Sequence, residues 1–239
     1  MLLIAAISTF VISGCTLNPL VTGSETMTQE EIAITDFKAV DISHSFSAEI
    51  IQSGQYKVVV SYNSNLKEYL NVEKDRETLK VGLDNEHQYR NVKLAVKIYM
   101  PELSRIDASG ASKINISDYN TNDLGISLSG ASELTGKLNV LNNLKIESSG
   151  ASDMNLMGLS KNASFSFSGA SEFKGKGMTI MNDLNVECSG ASNVVITANG
   201  NISLELSGAS DVKYYGNGKI VKSNTSGASS IKKMEGDTI

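Results

Sequence analysis

The chain of 239 residues carries 20 Gly, 2 Pro and no Trp, and 41% of its residues are hydrophobic. That composition is sufficient for a buried core and typical of an ordered protein rich in strands and tight turns, so it excludes a disordered tail. A formal net charge of −5, without any dense block of Lys or Arg, excludes nucleic acid as a partner because phosphate binding depends on clustered basic residues.

An apolar run, MLLIAAISTFVISGC, begins the sequence and ends at Cys15. It has the length of the apolar part of an export signal and is too short to span a bilayer as a mature helix. Its last residues, Ile12, Ser13, Gly14 and Cys15, resemble the lipobox of bacterial lipoproteins, whose cysteine becomes lipidated. We therefore predict a lipoprotein signal peptide over 1–15, a membrane anchor on Cys15, and an exported protein of the bacterial envelope, held in the outer membrane. The alternative is a buried N-terminal strand.

Two regions separate this signal from the repeats described below. Residues 16–35 are polar and show no sustained hydrophobic period, which predicts a flexible tether. Residues 36–107 contain the alternating segments FKAVDI, YKVVVSY, ETLKVGL and VKLAVKIYM, each of which predicts a strand. We interpret 36–107 as an N-terminal β region that caps the rest of the chain.

The remaining sequence, 108–235, repeats one tetrapeptide, SGAS, seven times at intervals of 18 to 21 residues. This period is typical of solenoids. Apolar residues alternate with polar ones before each motif and resume five places after its first Ser, which predicts two strands per coil with one buried face. The sequence thus predicts an all-β fold, a right-handed single-stranded parallel β-helix (β-solenoid) of about 20 residues per coil.

Each SGAS motif predicts the corner between the two strands of a coil. Gly adopts positive φ without steric cost, and Ser hydroxyls can bond backbone groups that a bend leaves unpaired. Four further stretches, SDYNTND, KGKG, ANGN and YGNGK, predict the other bends. The predicted structural corner residues are Ser109, Gly110, Ser129, Gly130, Ser149, Gly150, Ser168, Gly169, Ser189, Gly190, Ser207, Gly208, Ser226 and Gly227.

No constellation of residues predicts catalysis, a cofactor or a metal. Seven equivalent serines cannot all be nucleophiles, and the only histidines, His44 and His87, lie outside the SGAS repeats and away from any G-x-S-x-G elbow. The letters DYNTND at Asp118 begin like a calcium loop but lack its Gly and its final acid, so a bend explains them equally well. Cys188 falls in an inward column and predicts core packing.

Acidic residues recur just before and just after the corners. Two interpretations remain open: a solvated face that keeps the solenoid soluble, which we favour, and a face that binds divalent cations or a basic partner. The residues are Asp107, Glu147, Glu187 and Glu205 before the corner, and Glu133, Asp153, Glu172 and Asp211 after it.

The segments DFKAVDI, AEIIQSGQYKVVVSYNSNL, LKVGL and KIYMPELSRIDASGAS, together with the serial SGAS motifs, resemble the auto-transporter adhesin family with a head GIN domain. The resemblance covers about 36–235. It implies a β-solenoid in an exported or lipid-anchored protein of Bacteroidetes-type bacteria, and it implies no catalytic residues.

From this resemblance and the extended repeat faces we expect a non-catalytic adhesin, or a binding or scaffolding module, whose ligand is a protein or a glycan. The alternative is a carbohydrate-active enzyme on a β-helix, such as a polysaccharide lyase or a hydrolase. A cleft with convergent acid and base groups would favour the enzyme, whereas uniform faces would favour the binding module.

Overall fold

The structure is a computed structural model that describes residues 18–235, so the predicted signal peptide and Cys15 lie outside it. Strands account for 65% of the described residues and helix for 3%, which confirms the all-β prediction. No helix within the described range is long and apolar enough to cross a membrane.

A short 3-10 helix covers Ser64–Tyr69. The strands are β1 (Leu20–Thr22), β2 (Met27–Ile32), β3 (Ala39–Ile42), β4 (Ser47–Gln52), β5 (Lys57–Asn63), β6 (Leu70–Asp75), β7 (Thr78–Leu83), β8 (Gln88–Arg90), β9 (Leu94–Met100), β10 (Arg105–Ala108), β11 (Lys113–Leu128), β12 (Glu133–Ser148), β13 (Asp153–Phe167), β14 (Glu172–Ile180), β15 (Asp183–Cys188), β16 (Asn193–Ala198), β17 (Asn201–Leu206), β18 (Asp211–Tyr215), β19 (Lys219–Thr225) and β20 (Ser230–Lys233).

From β10 onward the chain winds as a β-solenoid of about six turns with roughly 20 residues per coil, as predicted. Every pairing among β10–β20 is parallel and joins a residue to its equivalent in the next coil. Ile106, for example, pairs with Ile126, which pairs with Ile146. Right-handed winding remains a prediction from the chirality of parallel crossovers.

The core is a set of inward columns that runs through all these coils. Phe165, Phe167 and Phe173 fill its middle, with Phe165 centred 4.8 Å from Phe173 and 5.7 Å from Phe167. One coil alone buries too little apolar surface to offset the entropy of ordering it, so stability depends on contact between neighbouring coils. Cys188 belongs to this core, and burial raises the pKa of its thiol to about 12.

Two of the four predicted bends lie within continuous strands. SDYNTND is part of β11, which changes direction twice: its register against β12 shifts between Ile116 and Tyr119 and again between Thr121 and Asp123. Asp118 makes the first bend at a φ of 38°. KGKG likewise lies inside β14, whereas ANGN and YGNGK separate strands as predicted.

The N-terminal region closes one end of the solenoid with a different topology. Strands β3 and β4 lie between the coil of β10 and β11 and a coil made from the later strands β7 and β9, all in parallel register. Antiparallel pairing then ends the stack, because β5 joins β9, β2 joins β5, and β6 joins β7. The chain therefore forms one coil with β3 and β4, then a coil on its outer side with β7 and β9, and returns to the inner side with β10 to begin the repeats.

The flexible tether predicted for 16–35 is wrong over much of its length. Strand β1 pairs with β8, and β2 pairs with β5 in antiparallel register. Side-chain amides hold the connection between them: Asn63 donates to the carbonyl of Ser24 at 2.6 Å, and Asn65 donates to that of Thr22 at 2.9 Å. No residue of these edge strands is fully buried, so they do not require an apolar period.

The seven SGAS glycines lie in one stack along an edge of the molecule. Their φ values fall between 72° and 85°, a region that favours glycine. Each SGAS corner after the first donates its Ala N–H to the glycine carbonyl of the preceding corner, as Ala151 does to Gly130 at 2.8 Å. A Cβ on Gly150 would lie 2.5 Å from that same carbonyl oxygen, so a side chain there is excluded by close approach as well as by φ.

We expect Gly150→Ala to reduce the free energy of unfolding by about 2–4 kcal/mol, because it combines a strained φ with a backbone clash. Urea denaturation measures this change. Gly54→Ala is the matched control, since a Cβ at Gly54 would have nothing within 4 Å and the φ of this residue is not in the positive range. Equal stability of the two variants would contradict the stacking constraint.

Candidate functional site

A shallow groove, which we call the corner groove, runs alongside the stacked SGAS corners. Two adjoining cavities of about 410 and 390 Å³ form it, and they share Ser166 and Ser168. Two columns of outward-facing residues line it. The residues of the first column lie two places before each corner, and the second column consists of the first Ser of each motif. The columns are Asp41, Asp107, Ser127, Glu147, Ser166, Glu187, Glu205 and Asn224, and Ser109, Ser129, Ser149, Ser168, Ser189, Ser207 and Ser226.

Strand alternation and parallel register build this groove. The residue before each corner points into the core, so the residues on either side of it point outward. In-register pairing then places equivalent residues above one another, as in the ladder from Asp41 through Asp107 and Ser127 to Glu147. The groove therefore presents a hydroxyl or carboxylate row with a repeat of about 4.8 Å.

The two serines of each SGAS motif have different roles. In the first six motifs the last Ser is buried, and its hydroxyl donates to the carbonyl of the first Ser, as Ser112 does to Ser109 at 2.8 Å. Equivalent bonds occur in the next five corners at 2.8 to 3.4 Å. The second serine thus closes the corner, and the first lines the groove.

Basic residues on the same face neutralise much of the acidic column. Nε of Arg105 lies 2.8 Å from Asp107, and Nζ of Lys145 lies 2.6 Å from Glu147. Lys222 pairs with Glu205 in the same way. Such exposed pairs add little to stability, but they neutralise three of the five carboxylates that line the groove.

Three of the four acidic residues that follow the corners, all but Asp211, are also paired with lysines among the described residues. Lys113 binds Glu133, and Lys174 binds both Asp153 and Glu172, at 2.8 to 3.0 Å. Within 18–235, no group of three His, Cys, Asp or Glu residues is placed to hold a metal ion. The hypothesis of a cation-binding face finds no support in this geometry, and the solvated face remains the better interpretation.

Asp41 and Glu187 are the exceptions in the acidic column, because neither has an ion-pair partner among the described residues, and Asp41 is the more buried of the two. Among the described residues, no Lys or Arg lies within ion-pair distance of the half-buried carboxylate of Asp41. Burial, and secondly the neighbouring carboxylate of Asp107, raise the pKa of Asp41, while Lys80 and Arg105 oppose the shift. Asp41 lines both the corner groove and a third cavity of about 350 Å³ at its N-terminal end.

His44 lies outside the SGAS repeats in sequence, but the structure places it in the corner column. Residues 43–46 lie directly under the first SGAS, because Ser109 N–H donates to Ile42 and Lys113 N–H donates to Phe46, both at 2.9 Å. His44 occupies the place of the motif's glycine at a φ of 56°. Alignment of AVDI-SHSF-SAEI with RIDA-SGAS-KINI would have found this corner. His87 is not in the column and binds Asp84.

We expect Asp41→Asn to raise the melting temperature at pH 7 by on the order of 2 °C. A raised pKa means that the fold disfavours the ionised carboxylate, so the penalty is present above the folded-state pKa and disappears below the ordinary value of 3.8. The gain should therefore vanish as the pH falls to about 3. Calorimetry across pH measures it, with Glu147→Gln as the control, because Glu147 is paired with Lys145 and does not contribute to the shift of Asp41, so its removal gives no gain. A lower melting temperature for Asp41→Asn at pH 7 would contradict the assignment.

Solved bacterial structures share this fold. One, described as a "putative adhesin" from Bacteroides fragilis, aligns with a TM-score of 0.78 at 18% identity over 90% of this chain and 100% of that one. A "putative adhesin" from Parabacteroides merdae aligns at 0.71 and 19% identity over 90% and 99% of the two chains. A "putative lipid binding protein" from Parabacteroides distasonis aligns at 0.68 and 23% identity over 90% and 99%.

The curated proteins contain no match to this chain. A family model does match, over residues 36–218, with the description "Putative auto-transporter adhesin, head GIN domain". This range includes strands β3 to β9 of the N-terminal region, the corner of His44 and six of the seven SGAS corners. The resemblance noted in the sequence is thereby confirmed, and the chain belongs to this adhesin family.

Proposed function

We propose that this protein is a non-catalytic, adhesin-type binding protein of the bacterial envelope, that a lipid on Cys15 anchors it in the outer membrane, and that its corner groove binds an extended glycan. The corner groove is the observation that carries the proposal. It runs along the repeat axis and offers the same kinds of polar group in coil after coil. A polymer with a regular polar repeat can use such a surface through many weak contacts.

The chemistry of the groove favours a polyhydroxylated chain over a basic peptide. Carboxylates of Asp107, Glu147 and Glu205 already pair with cations of the protein, so a basic ligand would have to displace them. Sugar hydroxyls donate to carboxylates and exchange hydrogen bonds with serines without disturbing those pairs. Every sugar unit carries such hydroxyls, which matches a groove whose polar groups recur in each coil.

Family membership supports a binding role and an exported location. The related structures described as adhesins share the fold, and one relative is described as a lipid binding protein. The corner groove of this chain is lined mainly by Ser, Asp and Glu side chains. That lining suits a glycan better than an acyl chain, because buried carboxylates and hydroxyls would lose hydrogen bonds to a lipid tail.

A carbohydrate-active enzyme is the second candidate, and one observation favours it. Asp41, whose pKa is raised, lies in register beside Asp107, which Arg105 holds in an ion pair. Two carboxyl groups in different environments are the usual acid and nucleophile or base of glycoside hydrolysis. Both project from the same face of one sheet, however, and among the described residues no second wall brings a catalytic group over the groove. We therefore favour binding without cleavage.

We expect Ser166→Tyr to weaken glycan binding at least tenfold, about 1.4 kcal/mol, because the ring would obstruct the position where the two cavities of the groove meet. Binding is measured against a panel of immobilised bacterial and host polysaccharides, with release of new reducing ends assayed in parallel. Asn155→Tyr is the matched control: it introduces the same side chain at an exposed position of the same strand, on the other side of the corner.

Two results of this experiment would contradict the proposal. Equal binding by the Ser166 and Asn155 variants would remove the groove as the binding surface. New reducing ends that appear with the wild type and disappear with Asp41→Asn would replace binding with catalysis as the function.

We expect cells that express the full chain to incorporate labelled palmitate into the protein, and Cys15→Ser to abolish the label and release the protein from the membrane fraction. The physical reason is that the thiol of Cys15 is the only acyl attachment point that the lipobox provides. Cys188→Ser is the control and should retain the label, because Cys188 is buried in the core. An unlabelled wild-type protein would contradict the anchor.

A further inference from the structure

The third cavity, which we call the histidine cavity, lies where the corner groove meets the N-terminal cap. It has a volume of about 350 Å³ and shares Asp41 and Ser109 with the groove. Ser43 and His44 of the first corner form one side, and strands β6 and β7 form the other. The volume is within the range of small-ligand sites.

His44 is not explained by the turn that it occupies. The seven SGAS corners have Gly at the equivalent position, where φ is 72° to 85°. His44 and the following Ser45 both adopt positive φ, at 56° and 63°, which costs about 1 kcal/mol or more for a residue with a side chain. Since Gly would make this turn with less strain, the imidazole itself is the feature that distinguishes this corner.

The cavity holds the imidazole in a fixed position. Nδ1 of His44 lies 2.8 Å from Oγ of Ser43. The space for this pair depends on Gly82 of β7, because a Cβ there would lie 2.3 Å from Oγ of Ser43 and 3.0 Å from Nδ1 of His44. Within 18–235, the other ring nitrogen of His44 has no hydrogen-bond partner and is available to a ligand.

The remaining polar groups of the cavity complement a hydroxylated ring. Asn71, Asn85 and Lys80 supply donors, and the carboxylate of Asp41, which has no ion-pair partner among the described residues, supplies an acceptor. Donors and acceptors thus surround one small volume, as in sites that bind a single sugar unit through several of its hydroxyls.

The groove ends at this cavity. The ladder that lines the groove continues from Asp41 to Lys80 and then to Glu73. Among the described residues β6 pairs only with β7, so the ladder ends at Glu73. A polymer that follows the groove toward the cap therefore reaches the last of its recurring polar positions at this cavity.

We propose that the histidine cavity binds the terminal sugar unit of the glycan in the corner groove, so that the protein recognises a chain end and not only a repeating chain. This inference rests on the proposed function of the groove. His44 and Asp41 are the residues that select the terminal unit, through hydrogen bonds to its ring hydroxyls.

The histidine cavity can be tested with free monosaccharides, because a single sugar unit is the part of the glycan that it holds. The probes are glucose, galactose, mannose, fucose and N-acetylglucosamine at millimolar concentration, added to the full-length protein. The chain has 2 His, so both ring spectra can be followed by NMR, and His87 serves as an internal control outside the cavity. We expect one or more sugars to shift the ring signals of His44 and leave those of His87 unchanged.

His44→Gly is the decisive variant because Gly adopts the native φ with less strain. Its melting temperature should equal or exceed that of the wild type, while saturation-transfer NMR on the sugar should show at least a tenfold loss of affinity. His87→Gln is the matched control and should retain the sugar response. If no sugar of the panel shifts His44, or if His44→Gly folds and binds as well as the wild type, the inference is wrong.

The same measurements separate this inference from the function of the groove. Polysaccharide binding that Ser166→Tyr abolishes, without any response of His44 to monosaccharides, would overturn the cavity and leave the groove supported. A response of His44 in a protein that binds no polysaccharide would overturn chain-end recognition together with the groove. Both sites would be supported if His44→Gly loses the response to monosaccharides and Ser166→Tyr loses polysaccharide binding but keeps the monosaccharide response.

Discussion

The close contact of one SGAS corner with the next is the constraint on which the rest of the structure depends. The hydrogen bond from each Ala N–H to the preceding Gly carbonyl, at 2.7 or 2.8 Å, leaves no room for a side chain at the glycine. Because this contact fixes the height of one coil over the next, it also fixes the register of both strands that meet at the corner. The inward columns of Ile, Leu and Phe then coincide, and the core is continuous.

The same register gives the molecule its surface chemistry. Once coils stack in register, any outward position becomes a row along the axis, and the residues at that position decide what the row presents. Beside the corner, the row combines exposed first serines with carboxylates that the neighbouring cations neutralise. A structural repeat has therefore produced a polar groove without a dedicated binding loop. Asp41, which has no ion-pair partner among the described residues, and His44, which takes the place of a corner glycine, lie where the SGAS repeat ends, and it is there that we propose specific recognition.

The sequence predicts the repeats and the alternating strands of the N-terminal region, and it misses the corner, the polar strand and the pairings that occur once. Seven corners were identifiable because each coil makes the same steric demand on Gly, and the pairing of Arg105 with Asp107 follows from their i, i+2 positions on one strand face. The corner of His44 lacks the glycine and so lacks the motif. The burial of Asp41 depends on β7, which is later in sequence but lies beneath β3, a reversal that no local pattern records. Strand β2 was missed because its partner β5 is distant along the chain and its own residues are polar.

The early start of ordered structure limits how far the protein can reach from a membrane. Strand β1 begins at Leu20, five residues after Cys15, and five extended residues span at most about 17 Å. With a lipid on Cys15, the cap would therefore be held close to the headgroups, and a chain end entering the histidine cavity would have to come from the same bilayer or from a polymer pressed against it. Under that geometry the short connection between Cys15 and β1 would select ligands by their distance from the bilayer as well as by their chemistry.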